Sequence, residues 1–271
     1  MLFDSTAEET MPGPGVRSLF VLTPALLAAL TLSPSGMAAE APGIVWGESL
    51  PDALDASAES SRPVMVDVWA VWCIPCKEME ETTYRDPDVL RAADGFVPLK
   101  VDADVKTAFI ERYGIDAFPT LLFLDVKGGE ITRWRGMIAA EPLADLLGRL
   151  SEGYPRYLET AGRRNEPDVA REIANYLTSV GNAGGAVDLL RVAVKKLGNA
   201  EPTVREPLEL RLGQAHLDAE SPKAAAKIFR RLADTSESDE IRGQALVGLV
   251  RAERARGRDA QADEALKRLN E

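Results

Sequence analysis

Residues 64–77 of this 271-residue chain read VMVDVWAVWCIPCK, and the only two cysteines of the sequence, Cys73 and Cys76, stand three positions apart in that stretch. The run 64–70 is apolar except for Asp67, which predicts a strand buried on both faces, and residues 77–82 predict a helix. The pair therefore falls where a strand feeds a helix N-terminus. The unpaired amide groups and dipole of such a terminus favour a thiolate over a thiol, which makes Cys73 the expected nucleophile. Cys76, one helical turn later on the same face, is placed to resolve a mixed disulfide.

Three other uses of a cysteine pair fit less well. A structural zinc site needs four ligands, and the chain offers no further cysteine and one distant histidine, His216. Haem attachment needs a histidine after the second cysteine, where Lys77 stands. A purely structural bridge across so short a loop would constrain the unfolded chain little. The spacing favours redox chemistry, with no metal.

Residues 66–77 resemble the active-site segment of the thioredoxin family. Tyr113-Gly114-Ile115 and Phe118-Pro119-Thr120 resemble its second signature, in which the proline is cis, and Gly136 resembles the glycine after its last hairpin. The likeness covers about residues 44 to 150. Asp86-Pro87-Asp88-Val89, after the active-site helix, is closer to the C-terminal thioredoxin-like domain of the periplasmic reductase DsbD than to cytosolic thioredoxin. The resemblance implies an α/β thioredoxin fold, a central mixed sheet flanked by helices. It implies a catalytic Cys73, Cys76 and Asp67, the aspartate assisting deprotonation of Cys76, with Lys100 as its neighbour. It also implies that a cis Pro119 leaves the backbone of Phe118 free to pair with an extended substrate, and that Trp72 covers the disulfide as an apolar contact surface. No cofactor is implied beyond the Cys73–Cys76 disulfide.

The residues themselves support part of this. A carboxylate at position 67 is flanked by apolar neighbours, so it would be desolvated and its pKa raised, as a proton carrier requires. Trp69, in the same strand, reads as core. The strong oxidants of the family carry Pro-His between their cysteines. Here Ile74-Pro75 supplies no imidazolium to stabilise a Cys73 thiolate, which leans towards a reductase.

At the start of the chain, residues 19–32 form an uncharged apolar run of 14, with Arg17 before it and Gly36-Met37-Ala38 after it. Basic flank, short apolar core and small residues in that order predict a secretory signal over 1–38, cleaved after Ala38. The acidic first ten residues suit a signal poorly, so translation starting at Met11 is an alternative. A membrane-spanning helix needs about 20 apolar residues, so an uncleaved anchor is the second reading. Export predicts a periplasmic protein, and one without additional cysteines must rely on its core.

Beyond a thioredoxin-like domain over 41–152, residues 153–271 lack strand-like runs; 163–167 is the expected joint, with a helix continuing through 154–161 as the alternative. Amphipathic segments come in pairs there: 167–180 with 183–197, 206–219 with 222–233, and 239–256 with 259–270. Small residues recur in the first helix of each pair (Ala174, Gly213, Gly248) and twelve positions later in the second (Ala186, Ala225, Ala260), spaced 39 and 35 residues apart. Such a period marks helix-turn-helix repeats, and Leu212-Gly213, Ala225 and Phe229 resemble a degenerate tetratricopeptide pattern. Stacked helical pairs make a concave surface suited to a client or partner peptide.

Charge divides in the same way. Residues 41–155 carry 20 acidic and 11 basic side chains, whereas 156–271 carry 19 and 20. An acidic first domain argues against nucleic acid as a partner. Each part has room for a core of about 110 residues.

The expected function is that of an exported thiol:disulfide oxidoreductase, a reductase of protein disulfides. It would need a separate membrane electron donor resembling the transmembrane part of DsbD. The alternative is a chaperone or adaptor in which the thioredoxin-like domain is a scaffold and the helical repeats hold clients.

Overall fold

The structure, a computed structural model, describes residues 43–270; the predicted secretory signal lies outside the described residues. The first part comprises α1 (Leu50–Ser60), β1 (Val64–Trp69), α2 (Ile74–Glu81), α3 (Pro87–Ala93), β2 (Val97–Asp102), α4 (Thr107–Tyr113), β3 (Thr120–Leu124), β4 (Glu130–Arg135) and α5 (Ala140–Thr160). The sheet runs β2-β1-β3-β4, with β1 and β2 parallel and the other pairs antiparallel. As a central strand covered on both faces, β1 needs no polar alternation, and Val64 to Val68 are all buried.

The pleat sends alternate residues of β1 to opposite layers. Val64, Val66 and Val68 join Leu99, Leu122 and Leu124 in a cluster that takes in Ala53 and Leu54 of α1 and Phe109 and Ile110 of α4. Met65 points the other way, into a cluster with Met79 of α2, Val89 of α3, Leu121, Phe123 and Ile131 of the sheet, and Leu143 and Leu147 of α5. Asp67 has the parity of Met65, so its carboxyl lies in the layer of α2.

The second part is helical throughout: α6 (Pro167–Ser179), α7 (Ala183–Leu197), α8 (Pro202–Asp218), α9 (Pro222–Thr235), α10 (Asp239–Ala255) and α11 (Asp259–Leu269). Short turns join successive helices, and each packs on the next, while α8 also touches α6 and α10. Arginines staple these alternate helices. Arg211 of α8 donates to Asn175 Oδ1 (2.6 Å) and Thr178 Oγ1 (2.7 Å) of α6, and Arg251 of α10 donates to Gln214 Oε1 of α8 (3.1 Å). Gly213 and Gly248 stand on either side of the Phe229 ring, where an added Cβ would lie 2.7 and 2.6 Å from ring carbons. Two small residues thus let α9 insert an aromatic side chain between α8 and α10.

Four features refine the expectations. The helix α5 runs unbroken across the 152/153 boundary, with Leu143, Leu146, Leu147 and Leu150 buried in its first half and Tyr154 and Tyr157 in its second. Pro155 removes one helical donor without ending the helix, and Gly153 leaves room for the ring of Tyr176 of α6. Secondly, the apolar core does not divide there. It continues from the sheet through α5 into Ile173, Leu190, Leu208 and Ala215, and a second cluster begins at α9. Thirdly, Ala260, matched by spacing to Ala186 and Ala225, is exposed in the first turn of α11; Ala262 and Ala265 are the residues that helix buries. The helix α8 also starts four residues earlier than the predicted 206, with Pro202 in its first turn.

The turn between α6 and α7 closes the sheet. Thr132 of β4 donates from Oγ1 to the Val180 carbonyl (3.0 Å), and Asn182 donates from Nδ2 to the Ile131 carbonyl (2.6 Å). One backbone carbonyl of the edge strand, that of Ile131, is thereby occupied within the chain.

Candidate active site

Cys73 and Cys76 are joined by a disulfide at the N-terminus of α2. Cys73 is the N-cap: its Sγ accepts from the Cys76 amide (3.2 Å), and its own amide donates to the Ala70 carbonyl (3.0 Å). Helix α2 begins at Ile74, three residues earlier than predicted, because Pro75 suits the first turn of a helix, where no donor is needed. Both sulfur-bearing residues are nearly enclosed, at 3 % and 5 % exposure, while the adjoining Val71, Trp72 and Ile74 are 59 to 76 % exposed. An apolar collar thus surrounds a recessed disulfide.

Trp72 and Phe118 form one side of that collar, their rings edge to face at 5.6 Å. The indole Nε1 of Trp72 donates to Asp104 Oδ1 (3.2 Å), which ties the cysteine turn to the loop after β2. Phe118 packs on the small cluster of Ala70, Cys73 and Cys76. The Phe118–Pro119 peptide bond is cis, and the carbonyl of the buried Pro119 accepts from the Gly136 amide (2.8 Å). Gly136 has φ +86°, a left-handed conformation that glycine adopts without strain.

In the α2 layer, Asp67 is 2 % exposed. Burial pushes its carboxyl up from the usual 3.8 to about 6; Lys100 and Tyr84 pull it back and Glu80 raises it further. Lys100 Nζ lies 3.9 Å from Asp67 Oδ2 and is also paired with Glu80 of α2, which reaches solvent. The Tyr84 hydroxyl, on the short turn Thr83–Arg85 after α2, is buried near this carboxyl and has no hydrogen-bond partner within bonding geometry among the described residues. Its own pKa is held well above the usual range, mainly by burial and then by the Asp67 charge.

The lysine ammonium stands over two rings, 5.1 Å from the centroid of Trp69 and 5.8 Å from that of Trp46. Trp69 is therefore only partly buried, less a core residue than one wall of this ion-pair site. Glu80, Tyr84 and Trp46 escape sequence reasoning. Glu80 is one helical turn beyond Cys76, a signal that could have found it, whereas Trp46 carries none. Among the described residues no cluster of three or more histidine, cysteine or carboxylate side chains stands close enough to hold a metal ion.

A strand, a helix capped by the first of two cysteines, a cis proline beside them and a four-stranded mixed sheet coincide over the stretch that matches the family model described as thioredoxin-like domain, residues 50–151. Residues 50–151 form a thioredoxin-like domain. The thioredoxin-like domain is homologous to part of the thiol:disulfide interchange protein DsbD of Cronobacter sakazakii, 40 % identical over 78 residues, or 27 % of this chain and 14 % of that protein. The DsbD of Pseudoalteromonas atlantica is 37 % identical over 97 residues, 34 % of this chain and 16 % of that protein. The chain thus spans about a sixth or less of the length of these relatives. A solved thioredoxin from Thermus thermophilus is 25 % identical with a TM-score of 0.39, covering 44 % of this chain and 96 % of that one.

Proposed function

We propose that the protein is an exported thiol:disulfide oxidoreductase that reduces disulfides in other proteins. The observation that carries this is the cysteine pair capping α2 within an exposed apolar collar, in a domain that also buries Asp67 with a raised pKa. In the reduced protein, the Cys73 thiolate attacks one sulfur of a substrate disulfide. The substrate S–S bond breaks, a mixed disulfide forms, and the departing substrate sulfur leaves as a thiolate that takes a proton from water. Cys76 then gives its proton to the Asp67 carboxylate and attacks the Cys73 sulfur. The mixed disulfide breaks, and the second substrate sulfur leaves as a thiolate. Two electrons have passed to the substrate, and the protein is left with the Cys73–Cys76 disulfide. No cofactor beyond the dithiol is required.

Each supporting residue has a place in this scheme. Trp72, Phe118 and Pro119 receive the extended substrate segment, and Lys100 supplies the counter-charge that lets Asp67 ionise at neutral pH. Ile74-Pro75 between the cysteines offers no cation to stabilise a thiolate, which supports reduction over oxidation. Export rests on residues 17–38, and recharging would fall to a membrane dithiol protein resembling DsbD. Among the described residues no helix is long and apolar enough to cross a membrane.

The test is reduction of insulin by the dithiothreitol-recharged protein, followed by turbidity. The wild type is expected to turn over and Cys73→Ser to show the uncatalysed rate; equal rates would refute the proposal.

A second reading has its own support. The faces of α8 and α10 enclose a groove of about 970 Å³ that includes Leu210, Arg211, Ile241, Val247 and Arg251. The alternate packing of α6, α8 and α10 supports a tetratricopeptide-like arrangement in which such a groove holds a client or partner peptide. If the protein is a chaperone or adaptor, Cys73→Ser retains client binding and complements a deletion fully.

A further inference from the structure

We propose that Trp46 is a positioning residue for the carboxyl of Asp67, its ring covering the Lys100 and Tyr84 flank of that group. The inference rests on the reading of Asp67 as the proton carrier.

Trp46 belongs to no regular strand. It precedes Gly47, which makes a single parallel bridge to Leu99 at the outer edge of β2. Two backbone hydrogen bonds hold that bridge: the Gly47 amide donates to the Pro98 carbonyl (3.0 Å), and the Lys100 amide donates to the Gly47 carbonyl (2.8 Å). A Cβ at position 47 would stand 3.3 Å from the Pro98 oxygen, so glycine permits the close approach. The second bond matters most. It ends on the main chain of Lys100, so the position of Trp46 is registered directly against the residue whose ammonium faces Asp67.

The indole touches the two groups that flank the carboxyl. It meets the Tyr84 ring nearly edge to face, 5.2 Å between centroids, and the Lys100 ammonium lies 5.8 Å from its own centroid. Trp69 offers the ammonium a second aromatic face, and such faces attract a cation without donating hydrogen bonds to the carboxyl. The groups that face Asp67 from surrounding elements are Lys100 from β2, Glu80 from α2 and Tyr84 from the turn after it; from β3 its register partner is the apolar Leu121. Trp46 contributes no charge. It contributes exclusion of water from the flank where the charged groups lie.

Taking the ring away has two opposing effects. Water admitted beside the carboxyl stabilises the ionised form, while a lysine freed to swing out would destabilise it. Lys100 stays held by its pair with Glu80 and by the Trp69 ring, so the first effect prevails. Trp46→Ala is expected to lower the midpoint of Asp67 by about one pH unit.

The experiment is a carbon-13 NMR titration of the Asp67 carboxyl in the oxidised protein, assigned by its loss in Asp67→Asn. It is paired with the pH profile of thiol exchange by the reduced protein. A lowered midpoint in Trp46→Ala, with the acid limb of the exchange profile moving the same way, supports the proposal; an unchanged or raised midpoint overturns it. Trp46→Phe, which retains a ring, should lie between Trp46→Ala and the wild type. If Trp46→Ala does not fold, Trp46→Leu reads the same quantity and must also lower the midpoint. An exchange profile that Asp67→Asn leaves unaltered refutes the proton-carrier reading itself, whatever the titration of Trp46→Ala shows.

Discussion

Replacing Asp67 by asparagine should make the protein more stable at neutral pH and leave it nearly unchanged in acid. The carboxyl titrates at 3.8 when exposed to water and at about 6 in the folded protein. Between those values the folded state holds a proton that the unfolded state has lost, so stability falls as pH rises through that window. Each pKa unit corresponds to about 1.4 kcal/mol, so burying the ionised carboxylate costs about 3 kcal/mol above pH 6, and nothing below the unfolded value. Asparagine matches the protonated acid in shape and cannot ionise. Chemical unfolding of oxidised wild type and Asp67→Asn at about pH 4 and about pH 7.5 should show a stability difference that grows by 2 to 3 kcal/mol between the two, in favour of the variant. Because every other titrating group is common to both proteins, the growth isolates Asp67. A variant less stable than wild type by the same amount at both pH values would show that Asp67 is an ordinary satisfied polar group, and the proton-carrier assignment would lose its physical basis.

Other predictions concern the neighbours of that site and the helical part. Lys100→Met removes the attraction that holds Asp67 down and Glu80→Gln removes a repulsion that raises it, so the two should move the acid limb of thiol exchange in opposite directions, upward and downward; shifts of the same sign would refute the arrangement. Cys76→Ser should arrest the reaction as a mixed disulfide between Cys73 and substrate, detected as an added mass under non-reducing conditions and absent from Cys73→Ser. Gly213→Ala and Gly248→Ala each drive a methyl into the Phe229 ring and should destabilise the protein by about 1 to 3 kcal/mol, a loss that Phe229→Leu relieves in the double variant.

Much of this arrangement is legible from residue pattern because it is local. The buried run 64–70, the cysteine spacing and the helix after it specify α2 and its cap without any distant contact, and five of the six C-terminal helices follow from amphipathic period within one or two residues at most ends. What escapes has two causes. Pro155 in α5 and Pro207 in α8 sit inside helices whose packing outweighs one lost hydrogen bond, so local sequence rules alone fix neither the length of α5 nor the start of α8. The remainder is non-local. Trp46 meets Lys100 and Tyr84 only once the chain has folded back along β2, and Thr132 and Asn182 find their partners across about fifty residues, with no periodicity to announce them. The apolar core running from the sheet into α8 belongs to the same class, since it depends on the length of α5.

The thiol-exchange account is tested most directly by the equilibrium potential of the Cys73–Cys76 couple, obtained by counting free thiols after equilibration with dithiothreitol or glutathione buffers. A reductase with no cation between its cysteines is predicted to lie at or below about −250 mV, whereas a value of about −120 to −180 mV would place the protein among oxidants and isomerases and contradict the direction proposed here.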